Sequence, residues 1–310
     1  MANEILYSGH SGATRLAKAI HEAVGLLLDG VVDLRSVVRY RGNMAGLGST
    51  VSKLAQVQLN DAMSAPSNEE DAVANTDFTT ASKDVTIARN ALRRQSSHLY
   101  AMTAAPGQLQ LDPVAMAQDA YNAGMLAFAS SVAALHASVS SSVGTSGVDL
   151  TVDTVYDAKF TLNLADAEMD GLTALFHNQQ INDFVSSLRG EADIVMDPEG
   201  LDALRVKPIG FKFGWRGINF WQSNQVPTAN AGADRDGCIF APGAFSYADA
   251  SPEALAAIPG IDIASLVAGV PIFTQFGNAD DTALFSATYN WYYGVGEDED
   301  ARAVRVISDA

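Results

Sequence analysis

Residues 114–143 form an uninterrupted stretch in which Asp119 is the only charged side chain. Small and large apolar residues alternate along it, a composition that favours a helix packed over much of its length. Asp112 and Pro113 are residue types preferred at the N-cap and at the first helical position. At about 1.5 Å per residue, a helix of this length makes a rod of about 45 Å, too long for one small domain to enclose. We therefore predict a spine helix around which the rest of the chain is arranged.

The predicted spine carries two kinds of apolar side chain. The small residues, which let another element approach closely, are Ala123, Gly124 and Ala127. The large residues, which we expect to fill a core, are Met125, Leu126, Phe128 and Leu135. We therefore predict that Gly124 lies at a contact needed for assembly with other copies, and that Leu126 stabilises the fold.

The chain before the spine is predicted to form a long two-stranded excursion. Strand-like segments occur at residues 37–41, 57–59, 85–89 and 99–102. Between them, the polar residues 64–83 include Glu69, Glu70 and Asp71. A loop of this length is unusual inside a compact domain, so we expect it either to lack fixed structure or to reach a partner. An amphipathic helix is predicted ahead of this region, at residues 15–28.

The chain after the spine alternates between helical and strand-like patterns, which predicts an α/β domain within a chain of α+β class overall. Helices are predicted at residues 164–175 and 178–190, and strands at 192–196, 209–213 and 218–221. An aromatic strand at 283–295, a solvated acidic turn at 297–300 and a strand at 303–307 are expected to form a long terminal hairpin.

The charge and the cysteine count exclude several classes of function. The formal net charge is −17, with 36 acidic and 19 basic residues, so the chain lacks the basic surface of a nucleic-acid-binding protein. Cys238 is the only cysteine, which excludes an intrachain disulfide and a cysteine-rich metal cluster. No apolar run approaches the roughly 20 residues of a membrane span, and we expect no membrane partner.

One segment resembles a catalytic motif. Residues 9–13, Gly-His-Ser-Gly-Ala, are similar to a nucleophile elbow centred on Ser11. The elbow needs strands before the serine, and ten residues leave no room for them. A flexible arm is therefore favoured, with a serine hydrolase using Ser11 as a remote alternative. The remaining histidines show no metal-ligand spacing, so we expect no catalytic residue, metal or cofactor.

Several arginines stand out in this acidic chain. Arg89, Arg93 and Arg94 follow one another closely, and Arg39 and Arg41 lie in the first strand-like segment. We predict that such side chains meet the acidic segment of another copy, where bidentate arginine pairing fixes the register. Ordinary surface arginines are the alternative, because exposed ion pairs contribute little. The candidate interface residues are Arg39, Arg41, Glu69, Glu70, Asp71, Arg89, Arg93, Arg94 and Gly124.

The order of these parts resembles a known family. Local strings at residues 85–102, 111–113 and 140–144, and again at 218–227, 232–235 and 240–248, are similar to segments of tailed-bacteriophage major capsid proteins with the Hong-Kong-97-type fold. The resemblance covers nearly the whole chain. It implies an N-terminal arm and helix (1–36), an E-loop hairpin (37–105), a P-domain with the spine (106–165), an A-domain (166–270) and a closing P-domain hairpin (271–310).

The resemblance also implies a function. The chain is expected to assemble into hexamers and pentamers of an icosahedral virion shell around double-stranded DNA, contacted non-specifically. Portal, separate scaffolding and decoration proteins are the expected partners. An encapsulin-type nanocompartment, which shares the fold, is the alternative. Lys53 and Lys83 lie in the E-loop region, but no preorganised partner is recognisable, so covalent cross-linking is not carried over.

Overall fold

A computed structural model of the chain describes residues 33–43, 50–56, 80–97, 108–189, 211–250, 263–267, 270–278 and 284–309. These residues form helices and two large sheets, which confirms the predicted α+β class. The segments predicted at 15–28, 57–59, 99–102 and 192–196, and the motif around Ser11, lie outside the described residues.

The spine helix is present as α1 (Gln108–Ala134). It begins before the predicted N-cap, so Asp112 and Pro113 lie inside the helix and their assignment as its start was wrong. It also ends earlier than predicted, in a 3-10 turn at Leu135–Ser138. The serines explain this end: Ser138 Oγ donates to the carbonyl of Leu135 at 2.7 Å, and the Ser140 amide donates to Asp300 at 2.8 Å. These bonds compete with helical ones.

The first sheet packs against α1. Its strands are β1 (Arg39–Asn43), β4 (Ala88–Ser97), β11 (Phe245–Asp249), β12 (Ile263–Val267), β13 (Val270–Asn278) and β14 (Leu284–Glu297). β14 pairs antiparallel with β4, β11 and β13, and β1 pairs parallel with β11. Phe128 of α1 lies 5.3–5.4 Å, between ring centroids, from Tyr247, Trp291 and Tyr293. This aromatic cluster joins helix and sheet.

The second sheet has its own core. Its strands are β5 (Ser142–Gly144), β6 (Leu172–Phe176), β7 (Phe211–Trp215), β8 (Ile218–Gln222), β9 (Thr228–Ala229), β10 (Asp234–Phe240) and β15 (Ala303–Asp309). Helices α2 (Val152–Leu164) and α3 (Asn178–Arg189) contribute buried apolar side chains to it. Thr151 caps α2 by accepting a hydrogen bond from the Thr154 amide at 3.3 Å. The predictions of α3 and of the strand at 218–221 are confirmed.

The helix predicted at residues 164–175 is wrong. α2 ends at Leu164, and β6 (Leu172–Phe176) occupies the second half of the predicted range. All five β6 residues are buried, because this strand lies between β10 and β8 in the sheet. A strand buried on both faces reads as a continuous apolar run, which periodicity alone cannot distinguish from a helix.

The predicted terminal hairpin is also wrong. β14 and β15 follow one another but belong to different sheets, since β15 pairs with β10 and β5. The acidic run between them is not a solvated turn: Asp298 binds Arg41, and Asp300 accepts from the Ser140 amide. These bonds direct the chain from one sheet to the other.

A separate two-stranded ribbon corresponds to the predicted excursion. It consists of β2 (Thr50–Gln56) and β3 (Thr80–Thr86), which pair antiparallel. The loop predicted at 64–83 therefore ends at Thr80, and its earlier residues lie outside the described ones. The strand predicted at 85–89 is interrupted at Ile87, where β3 gives way to β4.

Candidate functional site

The ribbon of β2 and β3 is anchored where it meets β14. Val85, near the end of β3, is buried and lies against Gly294 and Gly296 of β14. A side chain at Gly294 would collide with the carbonyl oxygen of Thr86. The two glycines therefore permit the close approach of the ribbon to the first sheet.

Arg41 is the centre of a hydrogen-bonded network at the same place. Its Nη1 donates to the carbonyl oxygen of Lys83 on β3 at 2.6 Å, and its Nε and Nη2 donate to the Asp298 carboxylate. Ser246 of β11 donates to the same carboxylate. The Arg41 side chain is 2% exposed and that of Asp298 is 12% exposed. We call these four residues the ribbon anchor, because they join β1, β3, β11 and the end of β14.

The ribbon anchor gives Arg41 a role inside the subunit, whereas the sequence predicted a contact with another copy. Arg39, two residues earlier, is exposed, and its guanidinium approaches Gly243 beside that of Arg302. Glu69, Glu70 and Asp71 lie outside the described residues, so their predicted pairing with arginines of another copy stays a prediction.

The three arginines of β4 do not form one cluster, because alternate residues of a strand point to opposite faces. Arg94 pairs with Asp119 of α1 within the subunit, and both side chains are nearly half exposed. Arg89 points the other way and donates from Nε to Asn290 Oδ1 at 2.7 Å. Arg93, four residues from Arg89, shares its face and is exposed. The face away from α1 thus presents two of the three predicted interface arginines.

The spine helix distributes its apolar residues differently from the prediction. Gly124 faces the Trp291 ring of β14 inside the subunit, and Met125 and Phe128 are buried as predicted. Leu126, which was predicted to fill the core, is 45% exposed, so that assignment was wrong. Met125 and Phe128 belong to the core beside the first sheet, and the helical turn carries Leu126 outward.

Sequence reasoning missed a surface on α2. Asp153, Asp157, Phe160 and Leu164 are all exposed, and their spacing of three or four residues places them on one stripe of the helix. Phe160 is 60% exposed and Leu164 is 69% exposed. The sequence does contain an apolar pair at i and i+4, on the helix face opposite Val155, Ala158 and Leu162. The pair gives no prediction of a surface, because the sequence pattern predicts the helix at 164–175 and not at Val152–Leu164.

The described histidines have surroundings that suit packing rather than catalysis. His136 is fully buried, and burial lowers its pKa from the ordinary value. Its Nδ1 lies 2.7 Å from the carbonyl oxygen of Asp236, which can only accept, so Nδ1 carries the proton. His177 is partly exposed at the start of α3, and burial lowers its pKa as well. Burial raises the pKa of the Cys238 thiol, which disfavours a reactive thiolate.

The described residues contain neither a metal-binding cluster nor a helix that could cross a membrane. Within these ranges, no group of three or more His, Cys, Asp or Glu side chains is arranged to hold a metal ion. No described helix is both long enough and apolar enough to cross a membrane.

Comparison with known proteins relies on structure, since no protein-family model and no curated protein sequence matches the chain. A structure from Mycobacterium phage Che8 has 13% sequence identity and a TM-score of 0.57, over 90% of this chain and 92% of the other. The capsid of Cyanophage P-SCSP1u has 10% identity and a TM-score of 0.58, over 90% and 88%. The SrpI encapsulin of Synechococcus elongatus has 13% identity and a TM-score of 0.59, over 88% and 85%.

The chain has the Hong-Kong-97-type capsid fold. The similarity extends over most of both chains in each comparison, so it concerns the whole arrangement and not one shared motif. Within the Hong-Kong-97-type fold of this chain, α1 is the spine and the ribbon of β2 and β3 occupies the predicted place of the E-loop. The domain boundaries assigned from the sequence stay a prediction.

Proposed function

We propose that this chain is the major capsid protein of a tailed bacteriophage, a structural subunit of the virion and not an enzyme. The observation that carries the proposal is the extent of the fold similarity, which covers about nine-tenths of this chain in the comparison with the Cyanophage P-SCSP1u capsid. Fold alone does not specify function, so the proposal also draws on the surfaces of this chain. The anchored ribbon and the exposed apolar pair on α2 are features expected of a subunit that is covered by neighbours.

We expect the subunits to form hexamers and pentamers that close into an icosahedral shell. One sequence must then adopt slightly different poses in the two kinds of ring. The ribbon anchor supports this arrangement, because it fixes the end of the ribbon nearest the first sheet and so gives the ribbon a defined direction toward a neighbouring copy. The further partners that we propose for such a shell are a portal, a separate scaffolding protein and decoration proteins.

The packaged cargo is proposed to be double-stranded DNA, contacted without sequence specificity. The net charge of −17 supports this, because an acidic wall repels phosphate and lets packed DNA move without sticking. Assembly in the host cytoplasm and a final location in the virion follow from the same proposal.

An encapsulin-type shell is the second candidate. The SrpI encapsulin matches with a TM-score of 0.59, comparable to the phage capsids. The two candidates share the physics of assembly and differ in what they enclose, which is DNA in one and protein cargo in the other.

Expression of the chain followed by negative-stain electron microscopy and sedimentation tests whether it forms a shell. Closed particles are expected when the chain is expressed with the genes that flank it. Nuclease-protected DNA inside them supports the phage capsid, and a packaged protein without DNA supports the encapsulin. A chain that remains monomeric both when it is expressed alone and when it is expressed with the flanking genes contradicts both candidates.

A further inference from the structure

Helix α2 carries an exposed stripe that combines negative charge with apolar side chains. Asp153, Asp157, Phe160 and Leu164 follow one another at intervals of three or four residues, so they lie on one side of the helix. We call these four residues the α2 stripe. Its acidic end lies near the start of the helix and its apolar end at the last residue. At about 1.5 Å per residue the stripe is about 16 Å long, which matches about three turns of another helix.

The apolar end of the α2 stripe is not needed by the subunit's own core. Phe160 is 60% exposed and Leu164 is 69% exposed, while Val155, Ala158 and Leu162 on the opposite face of the helix are completely buried. The buried face holds α2 in place, so the stripe is already ordered before a partner arrives. A partner that covered the two large apolar side chains would remove them from water at little cost in ordering.

The acidic end of the α2 stripe is uncompensated. Among the described residues, none forms an ion pair with Asp153 or Asp157. Lys159, the one cation in the sequence of α2, donates to the carbonyl oxygen of Arg216 at 2.7 Å. The Arg216 guanidinium lies over the ring of Tyr156, which is outside the stripe. Asp153 stands in the first helical turn, where a carboxylate suits the helix dipole, but Asp157 lies beyond the reach of that effect.

We infer that the α2 stripe is a docking site for a basic amphipathic helix of a second protein. The two aspartates select lysines or arginines on the partner, and Phe160 and Leu164 select its apolar residues. The net charge of −17 attracts such a helix from a distance, whereas it repels a second copy of this chain. Intervals of three and four residues suit the packing of one helix against another. The inference specifies the chemistry of one partner of the proposed shell and so rests on that proposal.

Peptide binding to the free subunit tests the surface. The probe is a labelled helical peptide with two leucines and two lysines on one face, and fluorescence anisotropy measures its binding. Asp153→Asn combined with Asp157→Asn is expected to weaken binding by about three- to tenfold, because two exposed ion pairs are lost. Phe160→Ser combined with Leu164→Ser is expected to weaken it by about tenfold or more, because apolar anchors dominate such a contact.

Matched variants and a second peptide serve as controls. Asp84→Asn combined with Asp119→Asn removes the same charge from exposed residues elsewhere, and Leu126→Ser removes an apolar side chain that is 45% exposed on α1. Both should bind the lysine peptide as the wild type does, and thermal melting checks that every variant is folded. Raising the salt concentration should shrink the effect of the aspartate substitutions. Equally tight binding of a peptide with glutamates in place of the lysines overturns the inference, as does equal weakening in the controls.

Photocrosslinking tests what covers the α2 stripe when the chain is expressed with its flanking genes. A photoreactive phenylalanine analogue at position 160 is expected to crosslink to a second protein, within a segment that carries lysine or arginine beside apolar residues on one helical face. A crosslink to another copy of this chain, to a segment without cations, or to no protein overturns the inference. If particles form in that case, the shell function stands. If no particles form, the shell function fails, while peptide binding still tests the surface on the free subunit.

Discussion

Gly124 of the spine helix lies directly against the indole of Trp291 on β14. A Cβ built on Gly124 would lie 3.4 Å from Trp291 Cε3 and 3.9 Å from Cζ3. These distances are ordinary van der Waals contacts for a methyl group, so the further atoms of a larger side chain must pass the indole or displace it. The small residue that the sequence associated with assembly therefore also determines how closely helix and sheet pack within the subunit.

Gly124→Leu should destabilise the free subunit by about 1–3 kcal/mol, because the added atoms meet Trp291 in a packed region. Gly124→Ala should be neutral or stabilising by up to about 1 kcal/mol, since alanine favours the helix and its methyl group fits. Urea unfolding of both variants measures the difference. Wild-type stability of Gly124→Leu would show that the helix and β14 do not pack as described.

Leu126→Ala should change the free energy of unfolding by less than about 1 kcal/mol, because the Leu126 side chain is 45% exposed. Phe128→Ala, two residues away and fully buried, should cost about 3–5 kcal/mol. Denaturant titration of the two variants side by side provides the measurement. A large loss from Leu126→Ala in the isolated subunit would place that side chain in the core after all.

Arg41→Met should cost about 3–5 kcal/mol, because it leaves the Asp298 carboxylate buried without its cationic partner. Hydrogen exchange in residues 80–86 should also accelerate, since the bond from Arg41 to the Lys83 carbonyl is lost. Arg94→Met removes the exposed pair with Asp119 and serves as the control, with an expected cost below about 1 kcal/mol. Similar losses of stability in the two variants would show that the ribbon anchor stabilises the subunit no more than an exposed ion pair does.

His136 should make stability depend on pH below about 6.5, the ordinary histidine value. Burial lowers its pKa in the folded state, so at falling pH the unfolded chain takes up a proton that the folded chain excludes. Stability is therefore fully present above about pH 6.5 and is lost as pH falls from there toward the lowered folded pKa. The positive charge of Arg305, which also disfavours protonation, acts in the same direction.

His136→Gln should reduce this loss, because glutamine can still donate to the Asp236 carbonyl and does not titrate. The measurement is the unfolding midpoint of both proteins between about pH 7.5 and 5, on the scale of about 1.4 kcal/mol per unit of pKa shift. The difference between the wild-type and His136→Gln curves separates His136 from carboxyl groups such as Asp249. Burial raises the pKa of Asp249, so its contribution to stability grows as pH falls, opposite to that of His136. Parallel curves would show that another group controls the pH dependence.

The parts that could be predicted from the sequence were those determined by local pattern. The long stretch with one charge favoured a packed helix, and α1, which has 27 residues, occupies most of that stretch. The amphipathic α3 and the aromatic β14 were likewise evident from periodicity and from β-branched and aromatic residues. The order of these parts was sufficient to suggest the fold.

The parts that depended on distant partners could not be predicted. Five consecutive buried residues at β6 were compatible with helix or strand until β8 and β10 lay on either side. The sequence predicted an interface role for Arg41 because its partner within the subunit, Asp298, lies far along the chain. β15 pairs with β10 and β5 and not with β14. This pairing depends on the acidic residues between β14 and β15, since Asp298 binds Arg41 and Asp300 accepts a hydrogen bond from the Ser140 amide.

The sequence by itself determined the α+β class, the spine and the absence of a cysteine framework, because these follow from residue types and spacings within a single segment. Only the tertiary structure decided that Leu126 faces outward, that Gly124 faces Trp291 and that Arg41 pairs with Asp298. The physical reason is that burial and charge pairing are properties of two surfaces brought together, and each segment's sequence describes only one of them.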